Sequence, residues 1–136
     1  MHGVQLWVNL PAADKMIAPA YQDLGADAVA VVEPAPGVVA RVVAGEAFGV
    51  TGPGSTHTPI TYTHLTLEAD TSARTTLPPD HTVLVYPLVG QVTVGGRTLE
   101  EAHLGVLGPG DEVELAGPAD GGPSEVLVLS GLPLRE

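Results

Sequence analysis

Thr82-Val83-Leu84-Val85-Tyr86-Pro87-Leu88-Val89-Gly90-Gln91-Val92-Thr93-Val94, followed by Gly95-Gly96 and Arg97-Thr98-Leu99, decides the fold class. The stretch is dominated by Val and Thr, with Leu and one Tyr, and no part of it repeats at helical spacing. Residues 82–88 and 91–94 read as two strands of a hairpin turning at Gly90. Gly95-Gly96 then sends the chain into a further short strand.

The pattern extends in both directions. Upstream, residues 60–68 alternate, with Thr63, Leu65 and Leu67 on one face and Tyr62, His64 and Glu68 on the other. Residues 28–33 and 38–44 form a second expected hairpin around Pro34-Ala35-Pro36-Gly37. A loop is expected over residues 49–58, and residues 74–77 read as a short strand stopped by Pro78-Pro79. Downstream, residues 103–107, 112–115 and 124–129 complete about ten short antiparallel strands, an all-β sandwich or jelly-roll barrel with little helix. At the N-terminus, residues 5–10 read as a short strand ended by Pro11. Residues 12–24 read as an irregular connection holding at most one helical turn. The expected organisation is thus a connecting segment, 1–24, and a barrel, 25–136.

A chain of 136 residues with 44% hydrophobic and 15% charged residues is long enough for one real core. The net charge of −11 reflects few bases, Lys15, Arg41, Arg74, Arg97 and Arg135, which form no cluster. Nucleic acid and anionic membranes are therefore not expected partners. The absence of cysteine excludes disulfides and thiolate chemistry. No signal peptide or membrane-spanning stretch is expected, which makes the cytoplasm the default location. The Ala/Gly/Pro/Val-heavy composition suits a high-GC bacterial source.

Several blocks carry a more specific signal: Gln5-Leu6-Trp7-Val8-Asn9-Leu10-Pro11, Tyr21-Gln22-Asp23-Leu24, Gly45-Glu46-Ala47-Phe48-Gly49, Leu107-Gly108-Pro109-Gly110-Asp111 and Leu132-Pro133-Leu134-Arg135-Glu136. Together they resemble the second half of the pirin family, two-barrel members of the cupin superfamily. The opening block resembles the segment that joins the two barrels. The resemblance implies a cupin-type barrel, corresponding to the pirin C-terminal domain without the first barrel, where the family's iron site lies. It also implies the family's roles: iron-dependent nuclear co-regulators in animals, and proteins designated quercetin 2,3-dioxygenases in bacteria.

Residues 82–94 and 106–113 resemble the two cupin motifs, which normally supply three histidines and a glutamate to iron or manganese. Taking Gly90 as the motif glycine, the glutamate position falls on Val83. The paired histidine positions fall near Thr76 or Leu77 and near Pro78 or Pro79. Taking Gly110-Asp111 as the second turn, the last histidine position falls on Val113 or Glu114. Only Glu114 is a metal ligand by chemistry, so no metal site, catalytic residue or cofactor-binding residue is assigned. Iron is expected only with the first barrel or an unrecognised site.

The remaining polar residues have plainer readings. His64 shares the Tyr62 face and is expected at the solvent side; His57 lies in a loop, His81 and His103 at strand starts, and His2 at the terminus. A site of their own would require them to converge inside the barrel with Glu68 or Glu114. Glu100-Glu101 and Asp111-Glu112 with Glu114 border turns and read as a solvated rim. Gly108-Pro109-Gly110 lacks the lysine and helix of a phosphate loop, and no serine has a nucleophile-elbow context.

The apolar face around Trp7 is an expected edge, and exposed edges promote pairing between chains. A homodimer through Gln5, Trp7, Asn9 and Met16 is the expected assembly, with a protein partner as a further expectation. Function divides between a metal-free structural or protein-binding module and part of an Fe(II)-dependent dioxygenase of quercetin 2,3-dioxygenase type. A third reading places an apolar small-molecule pocket in the barrel.

Overall fold

The computed structural model describes residues 3–134; His2, Arg135 and Glu136 lie outside them. The strands are β1 (Ala30–Ala35), β2 (Val38–Ala44), β3 (Glu46–Ala47), β4 (Val50–Thr51), β5 (Ile60–Leu67) and β6 (Ser72–Thr76). They continue with β7 (Thr82–Val89), β8 (Val92–Val94), β9 (Arg97–Leu99), β10 (Gly105–Val106), β11 (Glu112–Ala116) and β12 (Ser124–Gly131). A six-stranded sheet in the order β1-β2-β5-β12-β7-β10 faces a four-stranded sheet in the order β6-β11-β8-β9, with β3-β4 as a separate ribbon. Every ladder between strands is antiparallel, giving the expected jelly-roll sandwich. Among the described residues no helix is long and apolar enough to cross a membrane.

Alternation sets the core. Along β5 every second residue, Thr61, Thr63, Leu65 and Leu67, is buried, and β2 does the same with Val38, Ala40, Val42 and Ala44. Of these, Val38, Ala40, Leu65 and Leu67 form one core cluster with Ala73, Val92, Val94, Val113 and Leu115 of the smaller sheet, removing a continuous apolar layer from water.

Two local expectations fail. Residues 82–89 and 92–94 are strands but do not pair; they belong to different sheets, and the chain crosses at Gly90, whose φ is +73°. A Cβ there would meet Ser124 Oγ at 2.8 Å, so glycine is required by both the conformation and the close approach. Two other crossings also carry left-handed non-glycine residues, Asp70 (φ +57°) between β5 and β6 and Ala102 (φ +62°) between β9 and β10. The true hairpin is β8-β9, where Val94 pairs with Arg97 across Gly95-Gly96, both at positive φ. The second failure is the strand at residues 5–10: the chain there joins no sheet, and its first regular element is a single 3-10 turn, Ala12–Asp14. Alternating apolar residues form a strand only where another strand offers hydrogen bonds.

At the outer edge of the large sheet, β1 pairs with β2 around Pro36-Gly37 but shifts register between Val32 and Ala35, with Pro34 inside the irregularity.

Candidate functional site

The motif positions that would carry metal ligands divide between the interior and the surface. Leu77, Val83 and Val113 are 5%, 7% and 3% exposed and belong to one core cluster with Val85, Val92 and Leu115. Thr76, Pro78, Pro79 and Glu114 are exposed instead. The frame of the two motifs is therefore intact, and apolar side chains fill its interior. Thioether-free aliphatic groups offer no lone pair, so these residues do not fit an iron ion.

The histidines are dispersed. His64, on the outer face of β5, places Nε2 2.6 Å from Glu125 Oε2 of β12. That carboxylate also accepts from Thr66 Oγ1 at 3.0 and 3.2 Å, and Thr66 in turn accepts from Arg41 Nη1 at 2.8 Å. Together they tie β2, β5 and β12 across the outer face; Glu125 was not foreseen because its partners lie far away in sequence. His57 Nε2 lies 3.0 Å from Asp14 Oδ2, His81 Nδ1 lies 3.1 Å from Ser130 Oγ, and His103 Nδ1 contacts the Glu101 carbonyl at 3.0 Å. Among the described residues no three His, Asp or Glu side chains gather as a metal site would require. The acidic runs do lie at the surface, where Arg74 bridges Glu112 (3.3 Å) and Glu114 (3.2 Å).

The N-terminal arm is the other feature. Gln22 fastens it to the loop before β5, donating from Nε2 to the Pro53 carbonyl at 3.0 Å and accepting the Ser55 N–H at 2.8 Å. Asp14 adds the contact to His57, and Lys15 donates to Asn9 Oδ1 at 2.8 Å within the arm. Residues 6–9 run past the ends of β5, β7 and β12, leaving a groove of about 310 Å³ lined by Leu84, Leu129 and Leu132. Trp7 and Met16 are 86% and 94% exposed, and Gln5 and Asn9 are exposed as well.

A larger cavity, about 840 Å³, opens at one end of the barrel among Phe48, Thr61, Arg74, Thr75, His81 and Glu112. Thr61 and Thr75 are buried polar residues of its lining, and Ser130, the register partner of Thr61 on β12, bonds the lining residue His81 from outside it. Thr75 Oγ1 accepts the N–H of Phe48 at 3.0 Å.

Comparison with known proteins adds a lineage. Residues 62–136 match the model of the Pirin C-terminal cupin domain. Pirin of Mus musculus is 36% identical over 142 residues, covering 99% of this chain and 47% of that protein. A Pseudomonas aeruginosa protein named "Putative quercetin 2,3-dioxygenase" is 40% identical over 135 residues, covering 98% of this chain and 46% of its own length. The crystal structure of a quercetin 2,3-dioxygenase from Acinetobacter baumannii superposes with a TM-score of 0.88 at 32% identity, over 96% of this chain and 45% of the other. The chain thus spans about half the length of these relatives.

Proposed function

Because this chain belongs to the pirin family, as a pirin-type cupin domain, we propose that it acts as a structural or protein-binding module without catalysis of its own. The observation that carries the reading is that the inward-facing candidates for the ligand positions, Leu77, Val83 and Val113, are aliphatic and packed into the core. A barrel whose interior is aliphatic gains stability from those positions and has no donor set with which to hold iron. Elemental analysis of the purified, untagged protein, expressed with iron supplied, tests it. The expected content is below about a tenth of an equivalent of any transition metal; close to one equivalent overturns it. A cytoplasmic setting belongs to the same reading and rests on the sequence.

The exposed arm supports a second part of the proposal, self-association through Gln5, Trp7, Asn9 and Met16. Large apolar side chains held in water by a segment fastened at Asp14 and Gln22 are suited to contact another surface. Sedimentation velocity over a range of concentrations is expected to show a dimer that Trp7→Ala weakens; a monomer at every concentration sinks this part.

The alternative reading is part of an Fe(II)-dependent cupin dioxygenase of quercetin 2,3-dioxygenase type. The observation favouring it is the likeness to relatives bearing that name, each about twice as long as this chain. Dioxygenase activity of the chain alone with Fe(II) and quercetin would establish it; no ring opening leaves the first reading standing.

A further inference from the structure

Phe48 stands in a conformation that its side chain disfavours. β3 and β4 form a two-residue hairpin, Ala47 pairing with Val50, and the turn residues Phe48 and Gly49 have φ of +51° and +75°. This is the sign pattern of a type I′ turn, where Asn-Gly is the favoured pair and a bulky residue at the first position is an outlier. Structure around the turn maintains it. Thr75 Oγ1 accepts the Phe48 N–H, Gly45 N-terminal to the ribbon accepts Gly52 N–H at 2.8 Å, and Phe48 packs partly buried against the core at the cavity rim. Strain of this kind clusters at ligand-binding and switch regions.

The cavity under Phe48 has a definite chemistry. Thr61 lines it, 5% exposed, and His81 lines it with Nδ1 engaged by Ser130, leaving Nε2 as the other ring nitrogen. Among the described residues the cavity's one guanidinium, Arg74, is already shared by Glu112 and Glu114, and Glu46 also lines the opening. A carboxylate or phosphate would meet this acidic rim without a free guanidinium or ammonium among the described residues.

We propose that the barrel mouth is a binding site for an uncharged ring compound bearing hydroxyl groups, stacked on Phe48 and hydrogen-bonded by Thr61 and His81. The proposal is independent of the metal reading, since no residue of the motif core takes part as a hydrogen-bonding group. Two probes separate the sources of such a ring: catechol for a phenolic compound and methyl β-glucopyranoside for a sugar, with benzoate as the anionic control. In 1H–15N correlation spectra of the whole chain, at least one uncharged probe is expected to move the amides of Phe48, Thr61, Thr75 and His81 saturably, at millimolar concentrations fitting so small a ligand. Phe48→Asn, which suits the turn, is expected to weaken association about tenfold. Thr61→Val, which keeps shape and removes the hydroxyl, is expected to weaken it about fivefold. No saturable shift at those amides with either uncharged probe, or equal binding of benzoate, overturns the proposal. Unchanged affinity in both variants, each with its spectrum otherwise intact, overturns it as well.

Discussion

The barrel interior and the N-terminal arm are both rich in apolar side chains, yet they have opposite relations to water. Leu65 and Leu115 are fully buried, whereas Trp7 on the arm is 86% exposed. The difference lies in backbone partners. Leu65 sits on a strand hydrogen-bonded on both sides, by β2 and β12, so its side chain is delivered to the inner face without choice. Trp7 has no ladder, and the arm is held instead by the side chains of Asp14 and Gln22. Apolar composition alone therefore does not place a residue in the core; a satisfied backbone does.

The sharpest way to break that contrast is to restore charge at a motif position. Val83→Glu would place a carboxylate in an aliphatic cluster without a cation, and a loss of about 4 kcal/mol or more is expected. Circular dichroism during heating should show the cooperative transition weakened or gone. A folded variant that took up iron would mean that the interior adapts far more readily than its packing indicates. Next in size, Leu115→Ala should cost about 3 kcal/mol in urea denaturation, from lost burial plus the cavity left behind.

The outer face of the large sheet lies between the two extremes. Thr66→Val removes the hydroxyl that links Arg41 to Glu125, and a cost of about 1 kcal/mol is expected by the same denaturation measurement. A smaller loss would assign this network to surface chemistry more than to stability. Smallest of all, Trp7→Ala should leave unfolding of the monomer within about 0.5 kcal/mol of the parent, because little of the ring is buried. A large loss would show that the arm belongs to the folding unit.

What could be read from the sequence follows the same division. Alternation in β5 was legible because period-two burial is a property of one strand. Which sheet a strand joins is not such a property. Residues 82–94 therefore looked like a hairpin, although Gly90 carries the chain between sheets. Equally, residues 5–10 looked like a strand because apolar residues were present and the missing partner was invisible. The motif frame left Thr76 or Leu77 and Val113 or Glu114 open, and the structure buries Leu77 and Val113 and exposes Thr76 and Glu114. The polar mouth could not be foreseen, since Thr61, Thr75, His81 and Ser130 are brought together from separate strands and loops, and Phe-Gly gives no conventional turn signal.

The irregular β1 has a consequence for how this protein behaves when concentrated. A growing fibril needs an open strand whose amides and carbonyls present an even row. Pro34 has no amide hydrogen to offer, and the shifted register between Val32 and Ala35 breaks the row on either side of it. At the opposite border, β10 contributes only Gly105–Val106. The large sheet is thus a poor template for a second molecule, and clouding on heating should follow the population of unfolded chains, with no lag that seeding by folded protein can shorten.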